Sequence, residues 1–193
     1  PLDTNCWLLD DGVGGPVVVI DPGDEAQVIL ETLEDAPVEA VVLTHGHFDH
    51  LAAARHLVTA TGASLLVHED DASAITTASG TGGALFGFDV SAPPASRHLH
   101  EGDELPAGGA VLTVLHTPGH TPGCICLLGG GHLFSGDTLF SGSVGRTDFP
   151  GGDGVAMRRS IARLAELPDE TRVHPGHGPE TTIGRERRVN PFF

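Results

Sequence analysis

Thr44-His45-Gly46-His47-Phe48-Asp49-His50 puts three imidazoles and a carboxylate within six consecutive residues, directly after an apolar run at 40–43. A strand ending this way is poor packing material and good ligand material. Neutral imidazole and carboxylate are the usual protein ligands of zinc and of non-haem iron or manganese. His45 and His47, two apart, can point the same way and chelate one ion. Asp49 and His50 lie where the chain turns toward a helix, within reach of a second ion. The bland alternative is a surface His-rich loop that picks up metal incidentally, and the spacing weighs against it.

The rest of the chain alternates short elements around that loop. Residues 5–9 and 16–20 read as strands joined by an Asp- and Gly-rich turn. Asp24 or Gly23 caps a helix to about residue 34, with Val28, Ile29 and Leu33 on its inner face. A strand at 40–43 leads into the histidine loop, a helix follows over 50–60, Gly62 stops it, and 64–67 is a further strand. This βαβ alternation predicts an α/β layered fold. His68 opens a helical stretch to about 77. Segment 79–96, rich in Gly, Ala, Pro and Ser and without period, is a long loop expected over the site. Short strands follow at 110–116, 124–128 and 132–135, then a Gly-rich loop at 141–154, a helix at 155–167 and a strand at 171–174. No repeat or linker divides the chain, so residues 1–193 read as one domain.

Composition narrows the function classes. A length of 193 residues with 39% hydrophobic content suits one filled core. No apolar run approaches the roughly 18 residues of a membrane span, and residue 1 is Pro1, with nothing after it resembling a signal peptide. Three cysteines with no CxxC pair argue against a disulfide framework, and Cys124 and Cys126, two apart in an apolar stretch, read as buried thiols. A cytoplasmic location is therefore expected. The net charge is -16, and all ten cations are arginine. Such a field repels phosphate backbones, so neither nucleic acid nor a membrane is an expected partner.

Donors recur at three further strand ends: His120 after Thr117-Pro118-Gly119, Asp137 after Phe134-Ser135-Gly136, and His177 in Pro175-Gly176-His177-Gly178. Asp21, also at a strand end, either orients a ligand as an acceptor or merely forms a turn. The motifs HGHFDH, TPGHTPG, FSGDTLF and PGHG, in this order and over nearly the whole chain, closely resemble the metallo-β-lactamase-fold hydrolases. More narrowly they are similar to the short, single-domain glyoxalase-II-like branch. The resemblance implies a four-layer αββα sandwich with metals at one edge of the two sheets. Carried over motif by motif, it implies that His45, His47 and His120 hold one ion, that Asp49, His50 and His177 hold another, and that Asp137 bridges them. Two divalent ions are then expected, zinc first, with iron or manganese also accepted by such ligands. A water between them is acidified toward neutrality and becomes the nucleophile, with Asp49 able to orient it. The implied substrate is a small-molecule thioester, S-lactoylglutathione or a related thiol conjugate. His116 and His174 compete with His120 and His177 but sit inside strand patterns. His56, His68, His98, His100 and His132 read as surface histidines.

The chain also departs from the longer glyoxalase II enzymes. Only sixteen residues follow His177, which leaves out their C-terminal helical domain, and there is no tyrosine. Arg146 is the candidate for gripping a substrate carboxylate. Alternatively it pairs with Asp148 and shapes its own loop. Arg185, Arg187 and Arg188 read as solvated charges or partners of the acidic surface. There is no G-x-S-x-G nucleophile elbow. A β-lactamase is disfavoured by Asp137, a nuclease by length and charge, and a flavin-linked diiron enzyme by the lack of room for a flavin domain. The serious rival is a persulfide dioxygenase, with one iron on His45, His120 and Asp137. That family's resemblance rests on Gly123-Cys124 and Gly145-Arg146-Thr147-Asp148-Phe149. A non-catalytic metal-binding domain stands last.

Overall fold

The computed structural model describes residues 2–193. Its first sheet comprises β1 (Trp7–Leu9), β2 (Val17–Ile20), β3 (Val38–Val42), β4 (Ser64–His68) and β5 (Arg97–Leu99), in that spatial order. All pairings in it are parallel except β1 with β2. Helices α1 (Ala26–Leu33) and α2 (Ala54–Thr61) make the crossovers from β2 to β3 and from β3 to β4. The second sheet takes β6 (Glu104–Ala107), β7 (Ala110–His116), β8 (Ile125–Gly129), β9 (His132–Gly136), β12 (Arg172–Pro175) and β13 (Thr181–Thr182). A small ribbon of β10 (Leu139–Phe140) and β11 (Ser143–Val144) and the helices α3 (Gly154–Leu164) and α4 (Ile183–Val189) complete the chain.

Strand alternation builds the layers. Val17 and Val19 pack with Ile29, Leu33 and Leu57 of the helices, while Val18 and Ile20 turn the other way to meet Leu112, Val114, Ile125 and Leu127. A strand buried on both faces needs the unbroken apolar run that β2 has. Beyond the second sheet, Leu133 and Val173 pack against Met157, Ile161 and Leu164 of α3 and Ile183 of α4. The order is helices, sheet, sheet, helices: the expected αββα sandwich. Each fully buried Leu or Ile in these cores contributes about 1.5–3 kcal/mol relative to exposure.

Several local expectations are corrected. Neither Asp24 nor Gly23 caps α1. Glu25 occupies that position in the left-handed region at φ 52 without a side-chain cap. Val28 faces solvent, because Ile29 and Leu33, four apart, define the inner stripe. The helix expected from His50 begins only at Ala54, after a 3-10 turn at Phe48–His50. The stretch after His68 is two 3-10 turns, Glu69–Asp71 and Ala74–Thr76, and not an α-helix. His68 is buried, not at the surface. It stacks on His116 at 4.0 Å, and His116 gives its Nε2 to the carbonyl of Pro122. His174 is buried against Trp7 and pairs with His132. No helix among the described residues is long and apolar enough to cross a membrane.

Candidate metal centre

Parallel pairing brings one kind of strand end to one place. β2, β3 and β4 run the same way, as do β7, β9 and β12 in the facing sheet. Their C-terminal ends deliver, in turn, Asp21, the histidine loop, Asp71, His120, Asp137 and His177. The two sheets are fastened there by the amide of Ile125 donating to the carbonyl of Thr44 at 2.9 Å.

The seven expected ligands converge. Ligand atoms of His45, His47 and His120 lie within 4.8 Å of one another, as do those of Asp49, His50 and His177. Asp137 faces both groups, with Oδ2 at 3.5 Å from His120 Nε2 and 3.7 Å from His177 Nε2, and Oδ1 at 3.3 Å from His50 Nε2. Nitrogens face nitrogens: His47 Nδ1 is 2.8 Å from His120 Nε2, and His50 Nε2 is 3.3 Å from His177 Nε2. His45 Nε2 and Asp137 Oδ1 are buried without a well-formed hydrogen bond. Leaving such groups bare costs about 1–3 kcal/mol each, and cations among them would remove that cost. The donor set therefore fits metal ions.

Four of the seven side chains are aimed by a further group. Asp21 Oδ2 accepts from His50 Nδ1 at 2.9 Å and from the Thr44 hydroxyl at 2.6 Å, and that hydroxyl lies 3.2 Å from His45 Nδ1. Asp21 thus orients one histidine directly and another through Thr44. His120 Nδ1 donates to the carbonyl of Arg146 at 2.7 Å, and His177 Nδ1 to the carbonyl of Leu2 at 3.1 Å. Such partners fix the ring and leave the other nitrogen free to ligate. Asp71 is buried and takes the amides of Gly46 and Gly123 and the hydroxyl of Thr121, tying the histidine loop to the loop carrying His120. Asp71, Thr44 and the two carbonyls were not foreseen. Asp71 had a readable signal, an acid just past a strand parallel to β3. The main-chain carbonyls leave no trace in sequence.

The electrostatics divide the histidines. Burial, then the neighbouring His120, holds His47 down at about 4, and burial and His50 push His45 well below its ordinary value. Both are neutral and ready to ligate. His50 behaves oppositely: burial disfavours its charge, but Asp137 and Asp21 outweigh that and raise it well above its ordinary value. The Asp49 hydrogen bond likewise raises His177. Asp49 and Asp137 resist burial and stay below the usual carboxylate range through His177 and His50 respectively. The thiols contribute no nucleophile, since burial pushes Cys126 up to about 11 and Cys124 well above its ordinary value.

A cavity of about 540 Å³ opens over His47, Asp49, His120, Asp137 and His177. The segment 79–96 supplies Thr81, Leu85 and Phe86 to its wall, as expected for a loop over the site. Arg146 also lines it, but both Nε and Nη2 go to the carboxylate of Asp148 at 2.7 Å, and the guanidinium lies 3.7 Å over the Phe149 ring. The ion pair that shapes the loop is what the structure contains. His68, Asp70 and His116 form another close group, but the stacked rings and the His116 bond to Pro122 make it a packed cluster.

The sequence profile of the metallo-beta-lactamase superfamily matches residues 1–177. The chain belongs to the metallo-beta-lactamase superfamily. Hydroxyacylglutathione hydrolase GloC of Haemophilus influenzae is 36% identical to it, over 98% of this chain and 92% of GloC. Among solved structures of the superfamily fold, BLEG-1 B3 metallo-beta-lactamase superposes with a TM-score of 0.93 at 35% identity, over 100% of this chain and 95% of that one. TTHA1623 in a di-iron-bound form gives 0.90 at 42%, over 100% and 96%. ETHE1 from Myxococcus xanthus gives 0.83 at 33%, over 98% and 79%. Membership of the superfamily and the converged ligands make the chain a metal-dependent hydrolase of this fold.

Proposed function

We propose that this protein hydrolyses thioesters of a small thiol, with two divalent metal ions as cofactors. The observation that carries the reading is Asp137, whose carboxylate faces both ligand groups at the floor of the cavity. Likeness to GloC and to a di-iron structure supports it. Zinc is the first choice for the ions, and iron or manganese suits the same ligands. When bound, such ions lower the pKa of coordinated water and polarise a carbonyl oxygen. The chain supplies the rest. His45, His47 and His120 form one ligand set, Asp49, His50 and His177 the other, and Asp137 holds the two together. Asp49 lines the cavity, ionised and steadied by the Thr4 hydroxyl at 3.3 Å. It is placed to orient the attacking water. Phe86 and Phe149, with ring centres 6.0 Å apart, supply an apolar wall to the cavity. Arg146 is held by Asp148 in a two-pronged pair and shapes the loop beside the cavity. Three free cysteines suit the cytoplasm, the proposed compartment.

A persulfide dioxygenase with one iron on His45, His120 and Asp137 is the second reading, favoured by the 3.5 Å approach of His120 to Asp137. Likeness to a B3 metallo-beta-lactamase adds a β-lactam to the panel. Elemental analysis combined with hydrolysis of acyl thioesters and of a β-lactam, and with oxygen uptake on a persulfide, separates these. Two metals, thioester cleavage and loss of that cleavage in His177→Ala fit the hydrolase. One iron with brisk oxygen uptake, unchanged in His177→Ala, would replace it with the dioxygenase.

A further inference from the structure

We propose that the site selects thioesters whose thiol arm carries no net negative charge, an inference that rests on the thioesterase reading. The cavity is walled by Phe48, Leu85, Phe86, Phe140, Val144 and Phe149. Leu85 and Phe86 stand 65% and 52% exposed at its rim, although water contact at such side chains is unfavourable. Exposed apolar groups gathered around a pocket mark a ligand groove. At about 540 Å³ the cavity holds a ligand of ordinary size, so its volume does not discriminate among carriers. Charge does.

Glutathione carries two carboxylates and one ammonium. Apart from the histidines and the proposed metal ions, Arg146 is the single cation of the wall among the described residues, and Asp148 already neutralises it in a two-pronged pair. Arg185, which reaches Ser141 beside the ribbon β10–β11, is likewise held by Glu186 at 2.7 Å. A second cavity of about 560 Å³ lies beside the first and shares Leu2, Phe48 and Asp49 with it. Among the described residues its wall adds Asp3, Asp24 and Glu25 and no cation. An anionic arm laid either way meets apolar wall, a spent guanidinium or like charge, and a carboxylate desolvated without a partner is costly. An uncharged thiol arm meets only favourable surface. The reaction stays the same: water gives its oxygen to the acyl carbon, the C–S bond breaks, and the proton leaves on the thiol.

The test uses the full metal-loaded protein and one acyl group carried on two thiols, N-acetylcysteamine, which is neutral, and glutathione. The neutral thioester should have kcat/KM higher by about ten-fold or more. Calorimetry with the thioethers S-hexyl-N-acetylcysteamine and S-hexylglutathione, which cannot be hydrolysed, should show the same order, about ten-fold in Kd. Asp148→Asn, which releases Arg146, should narrow both ratios. Equal or better turnover of the glutathione thioester, or ratios unmoved by Asp148→Asn, would overturn the charge selection and leave the thioesterase standing. Cleavage of neither thioester would overturn both.

Discussion

Asp21 holds the site at the residue scale without belonging to the ligand set. It sits at φ 50, past the end of β2, and accepts from His50, the Thr44 hydroxyl and the Thr44 amide. The sequence left it balanced between a turn former and an orienting acceptor, because a single Asp at a strand end looks the same in both roles. Its geometry decides for orientation. Asp21→Ala should retain all seven ligands yet weaken metal affinity about 10–100-fold. Competition with a chelator would show it, and wild-type affinity would refute the role. The pKa directions set a second prediction. Metal binding needs neutral imidazole, so at pH 7 it displaces a proton from His50, whose pKa is raised. His45 and His47 are depressed and have none to lose until the pH nears the value of about 4 held by His47. Affinity at the Asp49, His50 and His177 group should therefore fall about ten-fold per unit of acidification for each proton displaced, from His50 and from His177, whose pKa the Asp49 hydrogen bond also raises. Dialysis at pH 7 and pH 5, followed by elemental analysis, should show that ion leaving first. Simultaneous loss of both would contradict the assignment.

At the scale of elements, the longer apolar strands were legible and the 3-10 turns were not. Apolar runs such as 17–20 and 40–43 announce buried strands by composition. The 3-10 turn at Phe48–His50 does not, because its shape comes from tertiary contacts: Phe48 stacks on Phe88 at 5.3 Å, forty residues on. The small strands β5, β10, β11 and β13 are two or three residues long and carry no period to read. Glycines at the strand ends were visible as turn signals, though their purpose was not. A Cβ on Gly176 would meet Asp137 Oδ1 and approach His50 Cε1 to 2.6 Å, and one on Gly136 would strike the Thr44 side chain. Gly176→Ala should consequently lower metal occupancy and activity by at least about ten-fold, a shift of about 1.4 kcal/mol, with the circular dichroism spectrum retained. Full occupancy in that variant would show that the carboxylate can move aside.

Across the whole molecule, two sheets share one apolar layer and present one edge to chemistry. Leu127 is fully buried in that layer, so Leu127→Ala should cost about 2–5 kcal/mol in denaturant unfolding. A cost below about 1 kcal/mol would mean that the sheets slide together to fill the gap. Motif order made the αββα arrangement readable and named the seven side chains that converge. The acid-lined second cavity was not readable, since Asp3, Asp24 and Glu25 meet there only through folding. The arm that holds His177, with Thr4 bridged to it and the Leu2 carbonyl on its ring, has a consequence in time. His50 and His177 are 127 residues apart. At a synthesis rate of about 5–20 residues per second, the last donor follows the histidine loop from the ribosome by roughly 6–25 s. The three-histidine set is complete before Asp137 appears, and Asp137 before His177. On the two-ion reading proposed above, the three-histidine set is therefore the first to be available, and the second set is complete only once β12 has been made.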